Sequence, residues 1–128
     1  MKQHIMVVDD EVQIRELLAI YLNKKGYNVS TASNGTEALK LAGKSHIDLV
    51  VLDISLAGED GLNVLGTFKT RHPQTKVVML TGMGFVEDLL QEAQEKGADG
   101  YVSKVLPLDE LLLAIHRTLR PSDLAEAC

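Results

Sequence analysis

The chain has 128 residues, 45% hydrophobic and 24% charged, with a formal net charge of -5 at neutral pH. That length fits one domain whose core needs neither disulfides nor a structural metal, and the lone cysteine, Cys128 at the last position, excludes a disulfide framework or thiolate metal site within the chain. The acidic balance argues against nucleic-acid binding as the main role and fits a small cation or a protein partner better. No apolar stretch approaches ~20 residues and no signal-peptide pattern opens the sequence, so a cytoplasmic location without a membrane partner is expected.

The elements alternate along the chain. Residues 4–8 (HIMVV) form a short apolar run, and residues 11–25 carry Ile14, Leu17, Leu18, Tyr21 and Leu22 at helical spacing before Gly26. Tyr27, Val29 and Thr31 alternate as a strand. Asn34 then precedes Glu37 by three, a variant of the capping-box spacing, and a helix follows through Ala38, Leu39, Leu41 and Ala42 to Gly43. Ile47 to Leu52 is apolar except for Asp48; a glycine-containing loop leads to a helix using Leu62, Leu65 and Phe68, which must end before Pro73. Lys76 to Leu80 is a fourth strand, followed by a stripe of Val86, Leu89, Leu90 and Ala93 closed by Lys96 and Gly97. Gly100 to Ser103 gives a fifth strand. Pro107 opens a last helix with Leu108, Leu111, Leu112, Ile115 and Leu119 inward, ending near Arg120. Residues 1–120 therefore read as one domain, and residues 121–128 as a tail or the start of a linker.

Five strands each followed by a helix predict an α/β fold, a doubly wound five-stranded parallel sheet with helices on both faces. Such sheets bind ligands at the carboxyl ends of their strands, near the point where strand order reverses. The residues at those ends are Asp9 and Asp10 after the first strand, Asp53 after the third, Thr81 after the fourth and Lys104 after the fifth. Three carboxylates on one rim would raise one another's pKa without a counter-charge, which implies a hard cation; Mg2+ suits oxygen ligands shared with phosphate. A carboxylate can accept a phosphoryl group to form an acyl phosphate, with Lys104 and the cation neutralising its oxygens and Thr81 donating a hydrogen bond. No GxxxxGK[ST] loop occurs, so a nucleotide is not expected as the direct donor.

Taken singly, Asp9 or Asp10 is an ordinary helix start, Thr81 a turn residue and Lys104 a solvated charge. Their coincidence at four strand ends points to a site. His4, His46, His72 and His116 show no metal-ligand spacing.

The segments VVDDE, VVLDISLAGEDG, VVMLTG and GYVSK, in this order, resemble the receiver domain of two-component response regulators over about residues 4–120. The resemblance implies the flavodoxin-like strand order 2-1-3-4-5, with Asp53 as phosphoacceptor. It makes Asp9, Asp10, Asp53 and the carbonyl of Ser55 the magnesium site, and Thr81 and Tyr101 the switch pair. It further implies phosphoryl transfer from a sensor histidine kinase or histidine phosphotransfer protein. Slow self-hydrolysis would act as a timer rather than as metabolic turnover, so the chain is expected to be a signalling switch and not an enzyme. Phosphorylation would reshape the face made by the fourth helix, fifth strand and fifth helix for a downstream effector, and leaves room for a phosphorylation-dependent homodimer.

Two positions depart from the family pattern. Val105 follows Lys104 where a proline after a cis peptide is usual; a cis bond before valine would cost ~3 kcal/mol, so a trans bond and a different loop are expected. Ala57 stands where proline is common, predicting a looser loop. The missing Lys-Pro pair leaves a phosphate-independent binding module as the alternative. An aspartyl-phosphate hydrolase of the haloacid dehalogenase type would want an acid two residues after Asp53, where Ser55 stands. The short tail is compatible with a stand-alone receiver or the N-terminal piece of a larger regulator.

Overall fold

The computed structural model describes residues 2–56, 58–82, 87–104 and 108–119; the expectations placed on Ala57, Val86, Val105, Pro107, Arg120 and residues 121–128 lie outside these. The elements are β1 (His4–Val8), α1 (Val12–Lys24), β2 (Asn28–Ala32), α2 (Gly35–Lys44), β3 (Leu49–Asp53), β4 (Ser55–Leu56) and β5 (Glu59–Asp60), then α3 (Gly61–Arg71), β6 (Lys76–Thr81), α4 (Glu87–Glu95), β7 (Gly100–Ser103) and α5 (Leu108–Leu119). The main sheet has five parallel strands in the order β2-β1-β3-β6-β7, which is the expected order 2-1-3-4-5 once the short β4–β5 hairpin is set aside. Strand order reverses between β1 and β3.

Alternation along the buried strands divides the core in two. Met6, Val8, Val50, Leu52, Val77 and Met79 face α2, α3 and α4, where Ala38, Leu65, Phe68 and Ala93 close the layer. Ile5, Val7, Leu49, Val51, Val78 and Leu80 face α1 and α5, where Leu18, Leu22, Leu111 and Ile115 do the same. All of β3 is buried, as a central parallel strand covered on both faces must be.

Local chemistry sets several boundaries. Gly26 and Gly97 take φ of +99° and +98° just after α1 and α4, the left-handed conformation that closes helices at least cost in glycine. Asn34 caps α2 by accepting from the Glu37 amide at 2.8 Å. Asn34→Ala should cost about 1 kcal/mol of unfolding free energy in urea titration; a cost near zero would mean that the cap contributes nothing.

Three expectations shift. α2 runs through Gly43 to Lys44, because Gly43 has no positive φ to turn the chain. β2 begins one residue after Tyr27, whose ring is buried in the α1–α5 layer. Leu17, placed on the inner stripe of α1, is 50% exposed; Leu18 takes the buried position. Among the described residues no helix is long and apolar enough to cross a membrane.

Candidate functional site

The acids that end β1 and β3 face each other because those strands are hydrogen-bonded neighbours. Asp9 follows β1 directly and is fully buried; its amide bonds to the Ala32 carbonyl at 3.1 Å, and Arg15 Nη1 donates to its carbonyl at 2.7 Å. Its Oδ1 accepts from the Glu11 amide at 2.9 Å, so the side chain is aimed by the first turn of α1. Asp53 is the last residue of β3, 2% exposed, and its Oδ1 accepts from the Ser55 amide at 3.1 Å. Asp10 lies beside them. One carboxylate oxygen from each of Asp9, Asp10 and Asp53 falls within 4.8 Å of the others.

The residue that follows β7 supplies the counter-charge. Lys104 Nζ lies 2.9 Å from Asp53 Oδ2, 2.9 Å from Asp9 Oδ2 and 3.2 Å from Glu11 Oε1. Its backbone amide bonds to the Thr81 carbonyl at 2.7 Å, which ties the lysine to the end of β6. Thr81 itself is fully buried, paired in register with Ser103 across the β6–β7 ladder. Asp9, Asp10, Asp53, Thr81 and Lys104 therefore meet at one rim, as their places at the strand ends predict. Ser55 starts the β4–β5 hairpin next to Asp53. Tyr101 lies on β7 and packs against the α2–α3–α4 side of the core.

Burial pulls the Lys104 pKa down, but hydrogen bonds to Asp53 and Asp9 and their charges outweigh it, holding the ammonium above the ordinary lysine range. Burial pushes the Asp53 carboxyl up; the Ser55 amide and Lys104 pull it back, and the Asp9 charge adds to the rise. Asp53 and Asp9 together hold the ammonium charged, while at Asp53 the cost of burial and the Asp9 charge exceed what Lys104 and the Ser55 amide return. Asp9 Oδ2, though 2.9 Å from Lys104 Nζ, is a buried oxygen without a hydrogen bond of good geometry. A cluster short of positive charge, with all-oxygen donors and one buried oxygen poorly satisfied, fits a hard divalent cation.

Sequence reasoning gave Glu11 no role. The available signal was a glutamate at the residue that opens a helix, where Asp, Ser, Thr or Asn would cap better. Glu11 is the N-cap of α1 and its side chain makes no cap bond.

A parallel sheet in the order 2-1-3-4-5, with acids at its order reversal, places the chain among the flavodoxin-like doubly wound proteins. The chain belongs to the response regulator receiver domain family, whose sequence pattern matches residues 5–116. It is 36% identical over 119 residues to sporulation initiation phosphotransferase F of Bacillus subtilis, covering 93% of this chain and 95% of that one. Other curated relatives are longer, and the chain spans 52%, 49% or 24% of their length. Among solved structures it is similar to chemotaxis protein CheY4 of Vibrio cholerae, with a TM-score of 0.88 and 28% identity over 93% of this chain and 100% of that one. It is also similar to a response regulator protein from Burkholderia pseudomallei with a phosphorylated aspartic acid, calcium ion and citrate, with a TM-score of 0.84 and 28% identity over 98% of this chain and 74% of that one.

Proposed function

We propose that this receiver accepts a phosphoryl group on Asp53 from a histidine kinase or histidine phosphotransfer protein in the cytoplasm, and that the acyl phosphate switches a protein-binding face. The observation that carries this reading is a buried carboxylate at the end of the central strand, within 2.9 Å of a lysine and beside two further acids. The phosphorylated aspartic acid and calcium ion of the Burkholderia relative support it.

In the transfer, an Asp53 oxygen forms a bond to phosphorus as the donor's P–N bond breaks, and the leaving imidazole takes a proton from solvent. The strand fixes the carboxylate's position, and the Ser55 amide fixes its rotation. Lys104, held charged, neutralises the phosphoryl oxygens, and the Thr81 hydroxyl donates to one of them. Asp9, Asp10, Asp53 and the Ser55 carbonyl would hold Mg2+, which supplies further charge neutralisation. Water attacking the acyl phosphate later resets the switch. Tyr101 stands on the strand next to Thr81, so movement of the hydroxyl toward the phosphoryl group is communicated to the face formed by α4, β7 and α5, for an effector or a second copy. Residues 1–120 form this unit, and 121–128 a tail or linker.

Incubating the protein with acetyl phosphate should add one phosphoryl group by intact-mass spectrometry in the presence of Mg2+ and none without it. A folded, magnesium-binding protein that takes no phosphoryl group would favour the phosphate-independent module instead.

A further inference from the structure

Lys104 Nζ lies within 3.2 Å of three carboxylates, hydrogen-bonded to Asp53 and Glu11 and ion-paired with Asp9. Two are built into the fold: Asp9 and Asp53 have side chains 0% and 3% exposed, each fixed through its other oxygen by a backbone amide. Glu11 differs. Its side chain is 61% exposed, reaches Lys104 Nζ at 3.2 Å and leaves the N-terminus of α1 without a side-chain cap. A glutamate diverted from capping to a lysine 93 residues away is placed by the site rather than by the helix.

Resting on the phosphoacceptor reading above, we propose that Glu11 is a positioning residue acting through Lys104: it holds the lysine in the resting state and competes with the incoming phosphoryl group for it. A phosphoryl group on Asp53 brings new anionic oxygens to a lysine already surrounded by three carboxylates. One partner must be released, and an exposed ion pair is the cheapest to break because water replaces it. Glu11 also puts a negative charge at the open side of the site, where an anionic donor must enter, and that repulsion weakens with salt. A protein donor can offset it with a cation or hydrogen-bond donor facing Glu11; a small anionic donor cannot. Glu11 thereby biases the site against small-molecule phosphorylation.

The test compares the wild type, Glu11→Gln and Glu11→Asp with acetyl phosphate, each at saturating Mg2+, by the rate of adduct formation. Glu11→Gln keeps the shape without the charge and should react roughly fivefold faster at low ionic strength, with the difference shrinking at high salt. Glu11→Asp keeps the charge but is too short to hold the lysine and is the better cap for α1, so its rate should fall between those of the wild type and Glu11→Gln. In the metal-free protein, the nitrogen resonance of the Lys104 ammonium should shift in Glu11→Gln, a readout independent of phosphorylation. Equal rates for Gln and wild type at all salt concentrations, an unshifted Lys104 resonance, or the same acceleration in Asp as in Gln would overturn the proposal. Failure of the wild type to take up phosphate would instead remove the phosphoacceptor reading, and the role of Glu11 with it.

Discussion

Asp53→Asn should abolish phosphoryl uptake and make the metal-free protein more stable at neutral pH. The first effect follows from the chemistry: the amide is a far weaker nucleophile than the carboxylate and cannot form the acyl phosphate. The second follows from the raised Asp53 pKa, whose largest cause is burial. A group with a raised folded-state pKa contributes stability that is fully present below its unfolded value, ~3.9 for aspartate, and is lost as pH rises through the folded value. At pH 7 the charged Asp53 is therefore a liability that asparagine removes, while Lys104 keeps Asp9 and Glu11 as partners. Urea midpoints should be higher for the variant at pH 7 and converge with the wild type as pH falls toward ~4. Mg2+ should reverse the order, since binding to the folded state stabilises by about 2.7 kcal/mol at a hundredfold excess over Kd, and the variant has lost a ligand. Wild-type uptake in Asp53→Asn, or a lower metal-free midpoint at pH 7, would disprove the corresponding half of this account.

The site was legible because a parallel α/β sheet converts sequence order into position. Each apolar run stops where its strand leaves the core, and the next residues lie on one rim; Asp9, Asp53, Thr81 and Lys104 were found that way although the first and last lie 95 residues apart in the chain. Local patterning did less well where two answers fitted it equally. Leu17 and Leu18 both suit the α1 stripe, and only the packing of α1 on the sheet decides which faces in. The β4–β5 hairpin pairs two residues with two, too few for a period of two to register. The Glu11–Lys104 pair joins residues at opposite ends of the chain, and nothing local to either announces it.

Gly61 shows how closely the phosphoacceptor is built into the backbone. As the first residue of α3 it lies against the chain that leaves β3: a Cβ there would strike the Asp53 carbonyl oxygen and sit 2.7 Å from both the Cα and the carbonyl carbon of Ile54. Neither side can yield cheaply. The Ile54 amide is bonded to Leu80 at 2.9 Å and its carbonyl accepts from Gly61 itself at 3.0 Å, while Asp60 caps α3 through the Leu62 amide at 2.9 Å. Rigid backbone on both sides makes this an overpacking error of the costlier kind, and Gly61→Ala should lose about 3 kcal/mol in urea unfolding. Gly66, five residues on in the same helix, has nothing within 4 Å of its would-be Cβ, so Gly66→Ala should gain about 0.5–1 kcal/mol from helix propensity. Because relief at Gly61 must move Asp53, the folded fraction of Gly61→Ala should also take up phosphate more slowly than Gly66→Ala. Equal stability in the two variants would show that the α3 entry is looser than these contacts require.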